Sequence, residues 1–150
     1  MQKINFKIAT PERVVYKDEV DQITLPTMQG EITVLPNHIP LIAVLQPGEV
    51  KVWKNKEEIS MAVSGGFIEV LADKVVILAD TAERAEELDL AKAEAARKRA
   101  EEALNTKRYD AKEFASLSAL IEKELARIRV AGKHRMRLGK KGLSREEHQK

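Results

Sequence analysis

The feature that most limits how this chain folds is a change of hydrophobic period near residue 82. Before it, apolar residues alternate with polar ones and turn residues recur. From 82 to 131 there is no proline and no glycine, and alanine becomes abundant. A period of two lines one face of a strand, whereas spacings of three and four line one face of a helix. The chain is therefore expected to be α+β, with a β part followed by a helical part.

In the first part, Ile4, Phe6 and Ile8 alternate with Asn5 and Lys7. Further strands are expected over 20–25, 50–53, 59–63, 67–71 and 75–78. The breaks carry turn chemistry: Thr10-Pro11, Pro47-Gly48, Asn55-Lys56, Gly65-Gly66 and Asp73-Lys74. Many short strands at this spacing indicate an antiparallel β-sandwich or barrel. No phosphate-loop lysine follows Gly65-Gly66, so the pair marks a bulge or a close backbone approach.

Residues 25–40 are unusually rigid. Pro26, Gly30, Pro36 and Pro40 bracket a β-prone run at 31–35, which reads as an edge strand between stiff turns. His38 lies on the second of these turns. Such a loop holds its side chains in one geometry, which suits docking on another surface; the residue types equally fit a sheet corner with a satisfied histidine.

In the second part, Ala93, Ala96, Ala100 and Ala103 form one helical face, with Asp89 as N-cap, or with an earlier turn starting at Asp80 or Thr81. Residues 105–109 interrupt the pattern. Asp110 and Glu113 then have capping-box spacing, and Phe114, Leu117, Ile121, Leu125 and Ile128 form the apolar stripe of a second helix. A short connection makes the two an antiparallel αα-hairpin. Alanine buries little apolar area, at about 25 cal/mol per Å², so the hairpin is expected to hold loosely and to be able to leave the head.

Composition narrows the chemistry. The 43% apolar residues include only 4% aromatics, so the core must be aliphatic. The lack of cysteine excludes disulfides, thiolate zinc sites and thiol catalysis, and points to an intracellular compartment. No apolar run approaches the ~20 residues of a membrane span, and residues 1–20 show no signal-peptide core, so a cytosolic protein is expected. His38, His134 and His148 are the only histidines, and there is no Walker loop or triad, so no catalytic role is expected. Net charge is +2, yet residues 127–150 hold nine Lys/Arg against two Asp/Glu. A positive end of this kind can meet an acidic protein, nucleic acid or an anionic membrane.

Several blocks, in order and spacing, resemble the ε subunit family of bacterial F-type rotary ATP synthases, equivalent to the mitochondrial δ subunit. They are Thr10-Pro11; Gly30-Glu31-Ile32 with Val34-Leu35-Pro36-Asn37-His38-Ile39-Pro40-Leu41; Ser64-Gly65-Gly66-Phe67-Ile68-Glu69-Val70; and Ala79-Asp80-Thr81-Ala82-Glu83-Arg84-Ala85. The resemblance covers residues 1 to about 131. It implies a β-sandwich head over 1–84, a regulatory helical hairpin over 85–132 and a basic tail over 133–150. It also implies a non-catalytic rotor-stalk subunit supporting ATP synthesis and proton transport, with the γ subunit, the c-ring and the catalytic β subunits as partners. The chain would sit peripherally at the cytoplasmic face of the bacterial cell membrane, touching it only through the complex.

The resemblance also assigns residues. Glu31, Ile32 and His38 fall where the family faces the c-ring. Lys123, Arg127, Arg129, Lys133 and Arg135 supply a positive strip where the extended arm meets an acidic segment of β. Some members bind ATP through a first-helix motif of Ile or Leu, Asp, two variable residues, Arg and Ala. Here it reads Leu88-Asp89-Leu90-Ala91-Lys92-Ala93, with lysine for arginine. Ser116, Lys123 and Arg127 occupy second-helix positions that tend to carry arginine in ATP-binding members. Glu83 and Asp89 match. Lysine keeps the charge but loses the planar fork, so the nucleotide set Glu83, Asp89, Lys92, Lys123 and Arg127 implies weak regulatory ATP binding, with or without magnesium. No cofactor is required and no metal site is expected. The alternative is a nucleic-acid-binding or adaptor protein using the basic tail. Against it, the tail has no aromatic residue for base stacking and no recognition fold is visible.

Overall fold

The computed structural model describes residues 2–106 and 110–147. Eight strands come first: β1 (Ile4–Ala9), β2 (Val14–Val20), β3 (Gln22–Thr27), β4 (Gly30–Val34), β5 (Leu41–Val44), β6 (Gly48–Lys54), β7 (Glu57–Val70) and β8 (Lys74–Arg84). A single 3-10 turn at Ala85–Glu87 leads into helices α1 (Leu90–Thr106) and α2 (Ala111–Glu147). The hydrogen-bonded order is β2-β1-β8-β7-β6-β3-β4, with β5 on β7. All pairings are antiparallel except β1 with β8. The expected β-sandwich is present, and its core is aliphatic. Ile4, Phe6, Ile8, Ile23, Leu25 and Val50 are among the residues enclosed between its layers.

Several strand boundaries differ from the sequence reading. The strand expected over 20–25 is split at Asp21 between β2 and β3, and the β2 and β5 strands were not anticipated. Gly65-Gly66 is not a break but the middle of β7. The β7–β8 register is the same on both sides of it, so there is no bulge and close approach is the correct reading. A Cβ on Gly66 would lie 2.0 Å from the Leu78 carbonyl oxygen, and φ there is +120°. The N-terminal half of β7 pairs with β6 and the C-terminal half with β5. One long strand thus serves two neighbours along the same edge.

Other local signals behave as the sequence dictates. Asn55 and Lys56, both at positive φ, close the β6–β7 hairpin as the primed turn the strand twist favours. β4 pairs only with β3 and is an edge. Asp89 Oδ1 accepts the Lys92 amide at 3.1 Å, capping α1. The Asp110–Glu113 capping box closes in both directions, at 2.8 and 3.2 Å.

The face of α2 turned to the protein only partly matches the expected stripe, of which Leu117, Ile121 and Ile128 are half-buried. Phe114 is 56% exposed, and Leu125 is also exposed. The helix instead buries Glu124, Ala126, Val130 and Ala131. Its neighbours are the alanine face of α1, with Ala93 and Ala100 buried, and the small residues Ala62 and Ala85. Small side chains let backbones approach closely, and Phe114 and Leu125 are left outside the contact. The helix also continues past Gly132. Residues 133–147 extend α2 instead of forming a separate tail, because Lys, Arg, Met and Leu flank Gly132 and Gly139 and propagate the helix. His148 lies outside the described residues.

Candidate functional site

Two regions present chemistry to a partner. The first is the outer face of the sheet. Strand alternation that points Ile68 and Val70 inward turns Phe67 outward, where it pairs across the ladder with Val44 on β5 and Leu78 on β8. Phe67 is 61% exposed and Ile42 75% exposed; Val44 and Leu78 are exposed beside them. A groove of about 270 Å³ continues this face, lined by Met28, Ile32, Leu41, Val44 and Phe67 among others. A contiguous apolar face on a small domain is a feature of docking surfaces.

The rigid loop adjoins it. Asn37, at φ +65°, donates its amide to Ala72 O at 2.7 Å, pinning the loop to the β7–β8 turn. The His38 amide donates to Leu35 O at 3.2 Å, and its Nδ1–H meets Ile39 O at 2.7 Å. Leu35 and Ile39 are exposed. At the β3–β4 turn, Gly30 adopts φ +113°, and Thr27 Oγ1 donates to its carbonyl at 2.6 Å. Of the residues assigned to the c-ring, Glu31 is exposed on β4 and ion-paired to Lys51 at 3.5 Å, while Ile32 and His38 are half-buried. Ile32 joins the apolar groove; His38 faces its own loop.

The second region is a cavity of about 560 Å³ between head and hairpin. Its walls include Glu83 from the end of β8, Asp89 at the α1 cap, Lys92 and Arg99 from α1, and Glu124 and Arg127 from α2. Arg127 bridges the two parts: Nη1 donates to Glu124 Oε1 at 2.8 Å and Nη2 to Glu83. Glu124 is 2% exposed, and its second oxygen has no hydrogen-bond partner among the described residues. Arg13 forks onto Glu87 at 3.0 and 2.8 Å, and that hydrogen bond holds the Glu87 carboxyl below the ordinary range. The structure thus gathers Glu83, Asp89, Lys92 and Arg127 in one place. Lys123 does not line the cavity. Sequence reasoning missed Arg99, two helical turns after Lys92, and Glu124, one turn before Arg127, although helical spacing places each on the face of an expected residue.

The arm's positive strip is divided. Arg127 is engaged as above. Lys133 Nζ reaches Glu49 Oε1 at 2.6 Å and Glu58 Oε1 at 3.0 Å. Arg129 and Arg135 are exposed, and with Lys123 they make no ion pair among the described residues. The expected single strip is therefore two sets: Arg127 and Lys133 are held against the head, and Arg129 and Arg135 face solvent, with Lys123 half-buried.

Family models account for both parts. Residues 3–85 match the ATP synthase, Delta/Epsilon chain, beta-sandwich domain, and residues 86–132 match the corresponding long alpha-helix domain. The chain belongs to the ATP synthase delta/epsilon chain family. Among curated members, it is 45% identical over 135 residues to the ATP synthase epsilon chain of Dehalococcoides mccartyi, covering 90% of this chain and 96% of that one. It is 46% identical over 134 residues to that of Chloroflexus aggregans, covering 89% and 96%. Among solved structures, a chain of the Euglena gracilis mitochondrial ATP synthase (OSCP/F1/c-ring) shares the fold. Its TM-score is 0.71 at 23% identity, over 83% of this chain and 80% of that one. A chain of the Tetrahymena thermophila central stalk and c-ring gives 0.57 at 19%, over 89% and 96%. Family membership leaves the nucleic-acid alternative unfavoured.

Proposed function

We propose that this chain is the ε-type central-stalk subunit of a bacterial F-type ATP synthase, a non-catalytic part of the rotor. Its sandwich docks on the γ shaft and the c-ring, and the subunit lies peripherally at the cytoplasmic face of the membrane. The observation that carries this reading is the apolar face of Ile42, Val44, Phe67 and Leu78 beside a pinned loop, on a family scaffold. A rotor part must transmit torque, and a loop tied by Asn37 to the adjacent hairpin yields little under load. Glu31, Ile32 and His38 are the loop-side residues assigned to the c-ring.

The helical arm acts on hydrolysis by leaving the head. Lys123, Arg129 and Arg135 meet an acidic surface of β, joined by Arg127 and Lys133 once these release their head carboxylates. The docked arm closes a pocket in which Glu83, Asp89, Lys92 and Arg127, with Arg99, hold ATP weakly. Lys123 lies outside that pocket and serves the β contact alone.

The test is a pull-down of γ and c-ring with the purified chain and with a Phe67→Ser/Ile42→Ser variant. Wild type is expected to capture γ at micromolar concentration, and the variant to lose that capture while keeping its melting temperature. Absence of wild-type capture refutes the assignment.

A further inference from the structure

We infer that the continuation of α2 beyond Gly132 is an ionic latch, in which Lys133 and Arg137 close the arm on Glu49 and Glu58 of the head. This rests on contacts within the chain and does not depend on the rotor-stalk reading.

The apolar part of the contact between α2 and the head is small. Its buried cluster is Val130 with Ala62 and Ala85, and Leu88 at its margin. Beyond it lies a charged cluster. Arg137 Nη2 donates to Glu58 Oε1 at 2.5 Å and Nη1 to the Glu58 carbonyl at 2.8 Å. Lys133 shares Glu58 Oε1 and also takes Glu49. Ser60 Oγ lies 2.8 Å from Glu49 and 3.1 Å from Glu58, completing the cluster. Lys133 and Arg137 are four residues apart, one helical turn, and so project from one face.

Glu49 decides the reading. It is 5% exposed, on the strand β6 whose Val50 and Val52 enter the core, and the arm covers it. A permanent interface gains little on average from a buried ion pair, because apolar side chains of similar volume often serve as well. An interface that opens has a different requirement: the surface uncovered must tolerate water. Glutamate satisfies it in both states, paired to Lys133 when closed and hydrated when open, so opening exposes little apolar surface. The same logic applies to Lys133 and Arg137. The family's helical domain model ends at residue 132, so these cations lie on a segment beyond it. The shifts agree with the geometry: burial alone would raise the Glu58 carboxyl, yet the hydrogen bonds from Lys133 and Arg137 bring it below its ordinary range.

The chain has no cysteine, so spin labels can be placed at Lys56→Cys on the β6–β7 turn and Met136→Cys on α2. Distance distributions in the full chain report the closed and open populations. The labelled wild type is expected to show one short distance at low salt and a growing long component toward about 0.5 M salt, where exposed charge is screened. Lys133→Met with Arg137→Met is expected to lower the closed-to-open ratio by roughly tenfold to a hundredfold, the value of a charged hydrogen bond. Lys133→Arg with Arg137→Lys keeps the charges and is expected to stay closed. A methionine pair that remains closed at low salt overturns the latch, as does a conservative pair that opens equally. Loss of the near-ultraviolet signal of Trp53 in the methionine pair also overturns it, since the carboxylates would then support the head's own packing.

Discussion

Arg127 offers the most direct measure of how the arm is held. Its guanidinium faces Glu124 at 2.8 Å and also contacts Glu83. Glu124 keeps only 3% side-chain exposure, whereas Glu83 keeps 25%. In Arg127→Met the stem volume is largely retained, so the loss is electrostatic. Glu83 rehydrates, and its share is about 0–1 kcal/mol. Glu124 has no such recourse while α2 stays docked, and the loss of its charged hydrogen bond costs about 1.5–3 kcal/mol. The sum is about 1.5–4 kcal/mol against arm docking, enough to raise the open population by about tenfold or more. Hydrogen exchange of α1 and α2 amides in the isolated chain reads this, because exchange registers local opening separately from global unfolding. Adding Glu124→Leu removes the stranded carboxylate, and the double variant is expected to return to within about 1 kcal/mol of wild type. A single variant that loses less than about 0.5 kcal/mol, or a double variant no better than the single, would refute this account of Glu124.

Three further outcomes are expected. Gly66→Ala should destabilise the head by about 3 kcal/mol or more in urea denaturation, because its Cβ would lie 2.0 Å from a backbone carbonyl and φ is unfavourable. Isothermal titration with magnesium and ATP should give a dissociation constant near the millimolar range, tightened by Lys92→Arg, since a fork gains a second contact to phosphate; a wild-type value at or below about 10 µM would refute the argument. Arm closure should weaken in acid. The Glu58 carboxyl is depressed, so its contribution is present above the ordinary carboxylate range, about pH 4, and is lost as pH falls through its lowered value. Lys133 is raised despite burial, by its bonds to Glu49 and Glu58, so its contribution holds through neutral pH and fades only in strong alkali. Label distances against pH in a His134→Gln background check this, because His134 lines the same groove beside Glu58 and Arg137.

Much of this architecture was written locally. The change of period divided strands from helices, and the caps at Asp89 and Asp110 close as their side chains dictate. Asn55-Lys56 makes its hairpin turn, and the proline-bracketed run at 31–35 lies at an edge. These features depend on dihedral preference and on hydrogen bonds spanning a few residues, so neighbours in the chain suffice to determine them. The docking and pocket residues were legible only through family motifs, and incompletely. Which side of α2 faces the protein was decided by the surface it meets. Alanines on α1 and at Ala62 and Ala85 favour small partners, so Val130 and Ala126 are buried while Phe114 and Leu125 of the bulky stripe are left outside. The same holds for charge. Lys133 and Arg129 belong to one basic segment, yet Glu49 and Glu58 from distant strands engage the first and leave the second in solvent. Burial and pairing belong to two surfaces at once, and one of the two is assembled only when the chain has folded.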